Sequence, residues 1–380
     1  GNLLCAVLLL LWGGRTRGRW GMPALASGGV VVLLGAFAAV VLAPRSEQAD
    51  DERALLLTAG MYKYVTQFDD HSREGIYDYA VSQYDLLYYN EGLASVVTVA
   101  RNRATDNIWL ANNGKVEAST TVDMPTQVLV SLLPFQFVDD PSEVLVIGLA
   151  SGITAGSVTT VDAIERMDVV ELEPSIVEAA RFFDEDNHHV LDNPITNVVL
   201  NDGRNHLVLA EPGTYDVVVS EPSNPWISGV SNLFTQEFFE LGKSRLKPGG
   251  VWSQWVQMYG MDESDLLSLL ATFASVFDHV TLYMTVEDAD LVMVGSDHPL
   301  TPDTERVAAM LERWPRARTE LGIVGLDDPI ALVSTWQMDR DTILAMTEGV
   351  PLNTDDNMRI EYHAPLNLHR ETAPANVDLL

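Results

Sequence analysis

The sequence predicts a doubly wound, mainly parallel α/β sheet, preceded by a small β-rich lobe and an N-terminal transmembrane helix. Three observations carry this expectation. From Glu143 onward, short continuous apolar runs alternate with helix-length segments, the rhythm of parallel strands buried on both faces. A glycine-bearing turn, Gly148 to Gly152, follows the first run. Far upstream, residues 24–43 carry no charge at all.

Residues 24–43 (ALASGGVVVLLGAFAAVVLA) are bracketed by Pro23 and Pro44. At about 1.5 Å per residue they reach about 30 Å, the thickness of a bilayer's hydrocarbon core, so an integral membrane placement with lipid contact is expected. Residues 3–12 form a shorter apolar run, read as the tail of another span; a signal peptide is the rival reading. The loop with Arg15, Arg17 and Arg19 would be cytoplasmic by the positive-inside rule, yet three arginines leave the side of the body open. Residues 1–44 are thus expected to be membrane segments.

The 380 residues carry 54 acids and 23 Lys plus Arg, a net charge of -31, and no acid falls in the first 44. So acidic a body repels nucleic acid phosphates, which excludes a DNA or RNA partner, and attracts small cations. A solvated acidic surface suited to a salty habitat explains the same charge. The one cysteine, Cys5, lies in the leader, leaving the body without disulfides or thiolate metal sites. His188 and His189 are adjacent and point in different directions, so no shared metal is expected.

Residues 45–135 read as a charged linker and a small β-rich lobe. A helix is expected over 54–65, followed by a tyrosine-rich stretch at 77–90. Strands are expected over 93–100, 107–111 and 115–118, the last two joined by the Asn112-Asn113-Gly114 turn. A helix over 125–133 leads onward. Residues 136–380 form the α/β domain. Its strands are expected over 144–147, 168–172, 197–200, 215–220 and 250–256, with helices over 155–161, 175–183 and 266–277. Strands over 280–284 and 291–294 continue it, residues 302–350 read as helical, and the end reads as irregular with an edge strand.

Ligands of open, Rossmann-like sheets bind at the carboxyl ends of the strands. Four such ends bear candidate residues. The turn with Gly148, Ser151 and Gly152 lets a ligand approach the backbone beside a helix N-terminus; many α/β turns carry two glycines for structural reasons alone. Glu171 ends the next strand at the spacing that suits a ribose, and Glu173 is placed on the same side by strand alternation. Asp202 and Gly203 follow the third strand, where a carboxylate and a free N–H suit adenine. Glu221 follows the fourth, in the stiff loop Ser220-Glu221-Pro222-Ser223-Asn224-Pro225-Trp226, as a proton acceptor or as a carboxylate holding backbone N–H groups. Trp226 covers a ligand or simply packs.

These elements in this order resemble the spermidine synthase family, the polyamine aminopropyltransferases. VLVIGLASG is similar to its glycine loop, VVELEP to its ribose segment, NDGRNHL to its adenine segment and YDVVVSEPSNP to its catalytic loop. The resemblance implies a class I methyltransferase-like fold, decarboxylated S-adenosylmethionine as cofactor, no metal, and a small cationic amine such as putrescine as partner, with a homodimer left open. It places Glu171 on ribose, Asp202 and Gly203 on adenine, Glu221 as proton acceptor and Asn224 near the amine. Asp123, Gln127, Gln254 and Tyr259 are further substrate contacts to be expected. The leader is similar to the membrane-fused branch of that family.

This sequence also departs from the family pattern. Ser151 stands where the family has an aspartate on the aminopropyl ammonium, the loop's Asp-x-x-Asp is Glu221-x-x-Asn224, and Tyr-His-Glu is Thr126-Gln127-Val128. These changes weaken the case for a diamine and for the decarboxylated cofactor, and leave the nucleoside half intact. Two alternatives follow: a methyltransferase using S-adenosylmethionine itself, and a non-catalytic nucleoside- or polyamine-binding module that regulates the membrane helices.

Overall fold

The computed structural model describes residues 47–65, 69–287 and 289–380. A compact division falls between Arg53 and Ala54. The first helix, α1, is Glu47–Leu57, and every other element among the described residues lies in the unit Ala54–Leu380.

After the short helix α2 (Met61–Tyr64), an antiparallel meander of four strands runs in chain order: β1 (Tyr84–Glu91), β2 (Val96–Asn102), β3 (Ile108–Asn112) and β4 (Lys115–Ser119). Asn113 and Gly114 take φ of 50° and 80° between the last two strands, the left-handed pair that a tight hairpin turn requires. The strand β1 was hidden in the tyrosine-rich stretch: its residues are mostly half-buried, so no polar-apolar alternation marks it.

The helix α3 (Met124–Leu132) leads into the large sheet. Its strands are β5 (Glu143–Ile147), β6 (Arg166–Glu171), β7 (Thr196–Leu200), β8 (Tyr215–Ser220), β9 (Leu246–Gln257), β10 (His279–Val286), β11 (Asp290–Ser296) and β12 (Trp336–Asp339). The order across the sheet is β12-β10-β11-β9-β8-β5-β6-β7. Pairing is parallel from β7 through β9 and antiparallel from β9 to β12. The helices α4 (Ile153–Val158), α5 (Pro174–Ala179), α6 (Gly203–Leu209), α7 (Gln236–Lys243) and α8 (Glu263–Val276) follow successive strands. Strand alternation divides the core: Val144, Val146, Val169, Val217 and Val219 face one layer, while Leu145, Ile147, Val170 and Val218 face the other. This is the doubly wound, methyltransferase-like arrangement expected.

Two expectations about the body's end need correction. The edge strand is β12, inside the stretch read as helical, and the segment read as the edge carries a helix, Arg359–His363. A strand of four residues is too short to show a period of two against its helical surroundings.

The integral membrane placement is also corrected. Among the described residues no helix is long and apolar enough to cross a membrane. The longest, α8, has 14 residues and reaches only about 21 Å of the required 30 Å. The segment 24–43, on which the expectation of a transmembrane helix rested, lies outside the described residues.

Candidate active site

Strand order reverses between β5 and β8, which lie side by side although two strands separate them in the chain. Ligands of open α/β sheets bind at such a switch point. Here the backbone geometry makes room for one. Gly148 has φ of 96°, and a Cβ on it would sit 2.6 Å from the carbonyl oxygen of Glu221, so only glycine lets the two strand ends come this close. Gly152, with φ of 80°, then starts α4.

The tips of all four strands open on one cavity of about 270 Å³, lined by Gly148, Glu171, Asp202, Gly203 and Glu221, among others. Glu171 accepts hydrogen bonds from the N–H groups of Leu149 (3.1 Å) and Glu173 (2.8 Å). Its carboxylate therefore fixes the glycine loop. Burial raises its pKa above the ordinary range, although those N–H groups pull it back. Asp202 caps α6 by accepting from Asn205 N–H at 2.8 Å. A Cβ on Gly203 would sit 2.7 Å from Cγ2 of Ile147, itself a lining residue.

Glu221 lines the same cavity. Burial pushes its pKa up to about 8, and the neighbouring charges of Asp290 and Asp123 add to the rise, while a hydrogen bond from the Thr154 hydroxyl opposes it. A carboxyl poised there exchanges a proton near neutral pH.

The remaining expected residues divide. Gln127 lines the cavity and donates to the Ser119 carbonyl at 2.9 Å. Ser151 does not line it: its hydroxyl turns inward and donates to Gln127 Oε1 at 2.6 Å. Gly152 shapes the loop without touching the cavity. Asn224 and Gln254 are fully buried away from the lining, and the Gln254 amide is spent on Trp252 and the Trp255 carbonyl. Asp123 lines a neighbouring cavity of about 360 Å³ with Tyr64, Tyr79, Tyr84 and Trp109. Tyr259 packs edge-on against Trp226, centroids 6.0 Å apart, and neither lines the first cavity. Glu173 caps α5 and accepts from Ala94 N–H (2.7 Å), tying the small lobe to the sheet instead of facing ligand. His188 and His189 turn to different partners, Glu320 at 2.7 Å and Asp184 at 3.7 Å.

Three groups were missed. Lys115 and Glu117 line the cavity as an ion pair of 2.7 Å; their spacing of two on a strand puts them on one face, a signal present in the sequence. Asp290, on β11, accepts from Thr126 Oγ1 (3.0 Å) and Trp255 Nε1 (3.0 Å), and burial pushes its pKa up to about 6. Lys63 lies 4.5 Å from the ring centroid of Tyr259 and 5.6 Å from that of Trp226; burial, with Lys115 adding, lowers its pKa to about 7. Nothing local in the sequence marks Asp290 or Lys63, because their neighbours come from distant segments.

Comparison with known proteins agrees with this geometry. Residues 125–288 match the spermine/spermidine synthase domain. The chain is 28% identical over 331 residues to polyamine aminopropyltransferase 2 of Pseudomonas aeruginosa, covering 83% of this chain and 90% of the relative. It is 30% identical over 159 residues to spermidine synthase 2 of Datura stramonium, covering 40% of this chain and 50% of the relative. Against putrescine N-methyltransferase 1 of Nicotiana tabacum, identity is 29% over 161 residues, with coverage of 41% and 43%. The chain thus spans about half the length of the plant relatives it matches. The crystal structure of spermidine synthase from Thermotoga maritima superposes with a TM-score of 0.51 at 19% identity, covering 63% of this chain and 88% of that one. That similarity speaks to the fold alone.

Proposed function

We propose that this chain acts as a member of the spermidine synthase family and transfers an aminopropyl group from decarboxylated S-adenosylmethionine to a small amine such as putrescine. The observation that carries the reading is the convergence of Gly148, Glu171, Asp202 and Glu221 on one cavity. In this reading Asp202 and the Gly203 N–H take the adenine, Glu171 takes the ribose hydroxyls, and the glycine loop passes beneath the sulfonium. The acceptor's nitrogen attacks the methylene carbon bonded to sulfur. The carbon–sulfur bond breaks, its electron pair stays on sulfur as methylthioadenosine leaves, and the ammonium proton passes to Glu221 in its carboxylate form, which the enzyme holds in growing fraction as pH rises toward about 8. The leaving group drives the chemistry; the protein supplies position and one proton acceptor.

The test is the purified full chain with decarboxylated S-adenosylmethionine and putrescine. Methylthioadenosine should appear, and Glu221→Gln should slow its release by about 10²- to 10⁴-fold. No methylthioadenosine with any common diamine overturns the reading. A second reading, methyl transfer from intact S-adenosylmethionine, is favoured by one observation: Ser151 turns away from the cavity and offers no charge to an aminopropyl ammonium. Release of S-adenosylhomocysteine would identify it.

A further inference from the structure

Lys115 lines the cavity with much of its hydrogen-bonding capacity left open. Its residue is 3% exposed. An ammonium carries three N–H donors. Among the described residues, the only acceptor for Lys115 Nζ is Glu117 Oε2 at 2.7 Å, with the Trp255 ring centroid at 5.8 Å. Glu117 has no freedom to cover more of it, because its other oxygen accepts from the Ser223 hydroxyl at 2.6 Å. Asp290 is held by Thr126 and Trp255, and Glu221 is held by Thr154. Burying an ammonium with donors unmet is costly, and the cavity is where those donors can be met.

An ammonium ligand cannot supply the missing acceptor, since it has no lone pair. A carboxylate supplies two oxygens and the opposite charge. We propose that Lys115, clamped by Glu117 against Trp255, is a specificity-determining residue that receives a carboxylate at the reacting end of the cavity. The Lys115–Glu117 pair then suits a zwitterion: carboxylate on Lys115, ammonium on Glu117. Two ligands present that chemistry, the amino-acid tail of an intact adenosyl sulfonium and an acceptor that carries a carboxylate beside its amine. The inference rests on the nucleoside-sulfonium part of the proposed function and narrows the substrate class at the same site.

The experiment uses the full chain, wild type and Lys115→Met, with Lys115→Arg as rescue and Glu117→Gln as a second variant that keeps the cation. Calorimetry compares methylthioadenosine, S-adenosylmethionine and its decarboxylated form. Initial rates with decarboxylated cofactor compare putrescine with 4-aminobutyrate. Methylthioadenosine should bind wild type and Lys115→Met equally, which also shows that the variant folds. Lys115→Met should lose at least about tenfold in affinity or rate for the carboxylate-bearing ligand of one pair only, and Lys115→Arg should restore it. A loss in the cofactor pair identifies the amino-acid tail as the source; a loss in the acceptor pair identifies the acceptor. If Lys115→Met changes the preference in neither pair, or if Glu117→Gln abolishes a preference that Lys115→Met retains, the inference falls. If wild type does not bind methylthioadenosine, the nucleoside reading falls and takes this inference with it.

Discussion

Replacing Glu221 with glutamine changes one proton-binding group and little else. The amide oxygen can still accept from Thr154, and the volume is nearly unchanged. The folded protein holds the Glu221 proton up to about pH 8, against an ordinary value of 4.5. Between those two values the unfolded chain has released the proton and the folded one has not. Folding therefore loses stability as pH rises from about 4.5 to 8, at up to about 1.4 kcal/mol per pH unit. The full interval corresponds to at most about 5 kcal/mol. Glu221 faces an open cavity, and solvent there reduces the figure to roughly 2–3 kcal/mol. Asp290 titrates in part of the same range in both proteins, so it enters the difference only through its repulsion of the Glu221 charge. Urea unfolding followed by tryptophan fluorescence at pH 5, 6.5 and 8 measures that difference. Glu221→Gln should gain on wild type steadily with pH, by roughly 2–3 kcal/mol at pH 8 relative to pH 5. A difference that stays flat to within about 0.5 kcal/mol would show that Glu221 is ionised in the folded protein at neutral pH and would refute the rise that burial gives its pKa.

Other substitutions probe the frame around the cavity. A Cβ at position 156 would lie 2.2 Å from the Asn187 carbonyl oxygen, so Gly156→Ala should cost about 1–3 kcal/mol in urea unfolding and weaken nucleoside binding by shifting the glycine loop. Glu173 accepts from Ala94, Ser95 and Ser175; Glu173→Ala should cost about 2–3 kcal/mol at pH 7. Burial works against the Glu173 charge, but those donors outweigh it and hold its pKa below 4.5, so wild type should lose this advantage as pH falls below that value. Asp216 accepts from Ser142 N–H (2.9 Å), Glu143 N–H (2.9 Å) and Lys247 Nζ (2.8 Å); Asp216→Ala should destabilise β5 against β8 by about 2–4 kcal/mol in the same assay, with no change in cavity chemistry.

The parallel strands were legible because burial on both faces writes an unbroken apolar run, as in Val144 to Ile147, and the turns between them keep their glycines and carboxylates. The same rhythm located Gly148, Glu171, Asp202 and Glu221. What the sequence concealed was direction and partnership. Ser151 occupies the expected position in the loop, yet its hydroxyl turns to Gln127, a choice made by packing against α3. Glu173 shares a strand face with Glu171 on paper, but the chain leaves β6 at Glu171 and Glu173 becomes a helix cap. Lys115 begins a strand that the sequence marks, but its place in the cavity depends on Trp255, which comes from the distant β9. The strand β12 and the contacts of Asp290 with Thr126 and Trp255 depend on segments far apart in the chain, which local pattern does not encode.

The proposal that the cavity shared by four strand ends holds an adenosine group is tested most directly by calorimetric titration of methylthioadenosine into wild type, Glu171→Ala and Asp202→Ala. The account predicts a single site in wild type, with affinity reduced at least about tenfold, or about 1.4 kcal/mol, in each variant. Absence of binding to wild type, or equal binding by all three proteins, would contradict it.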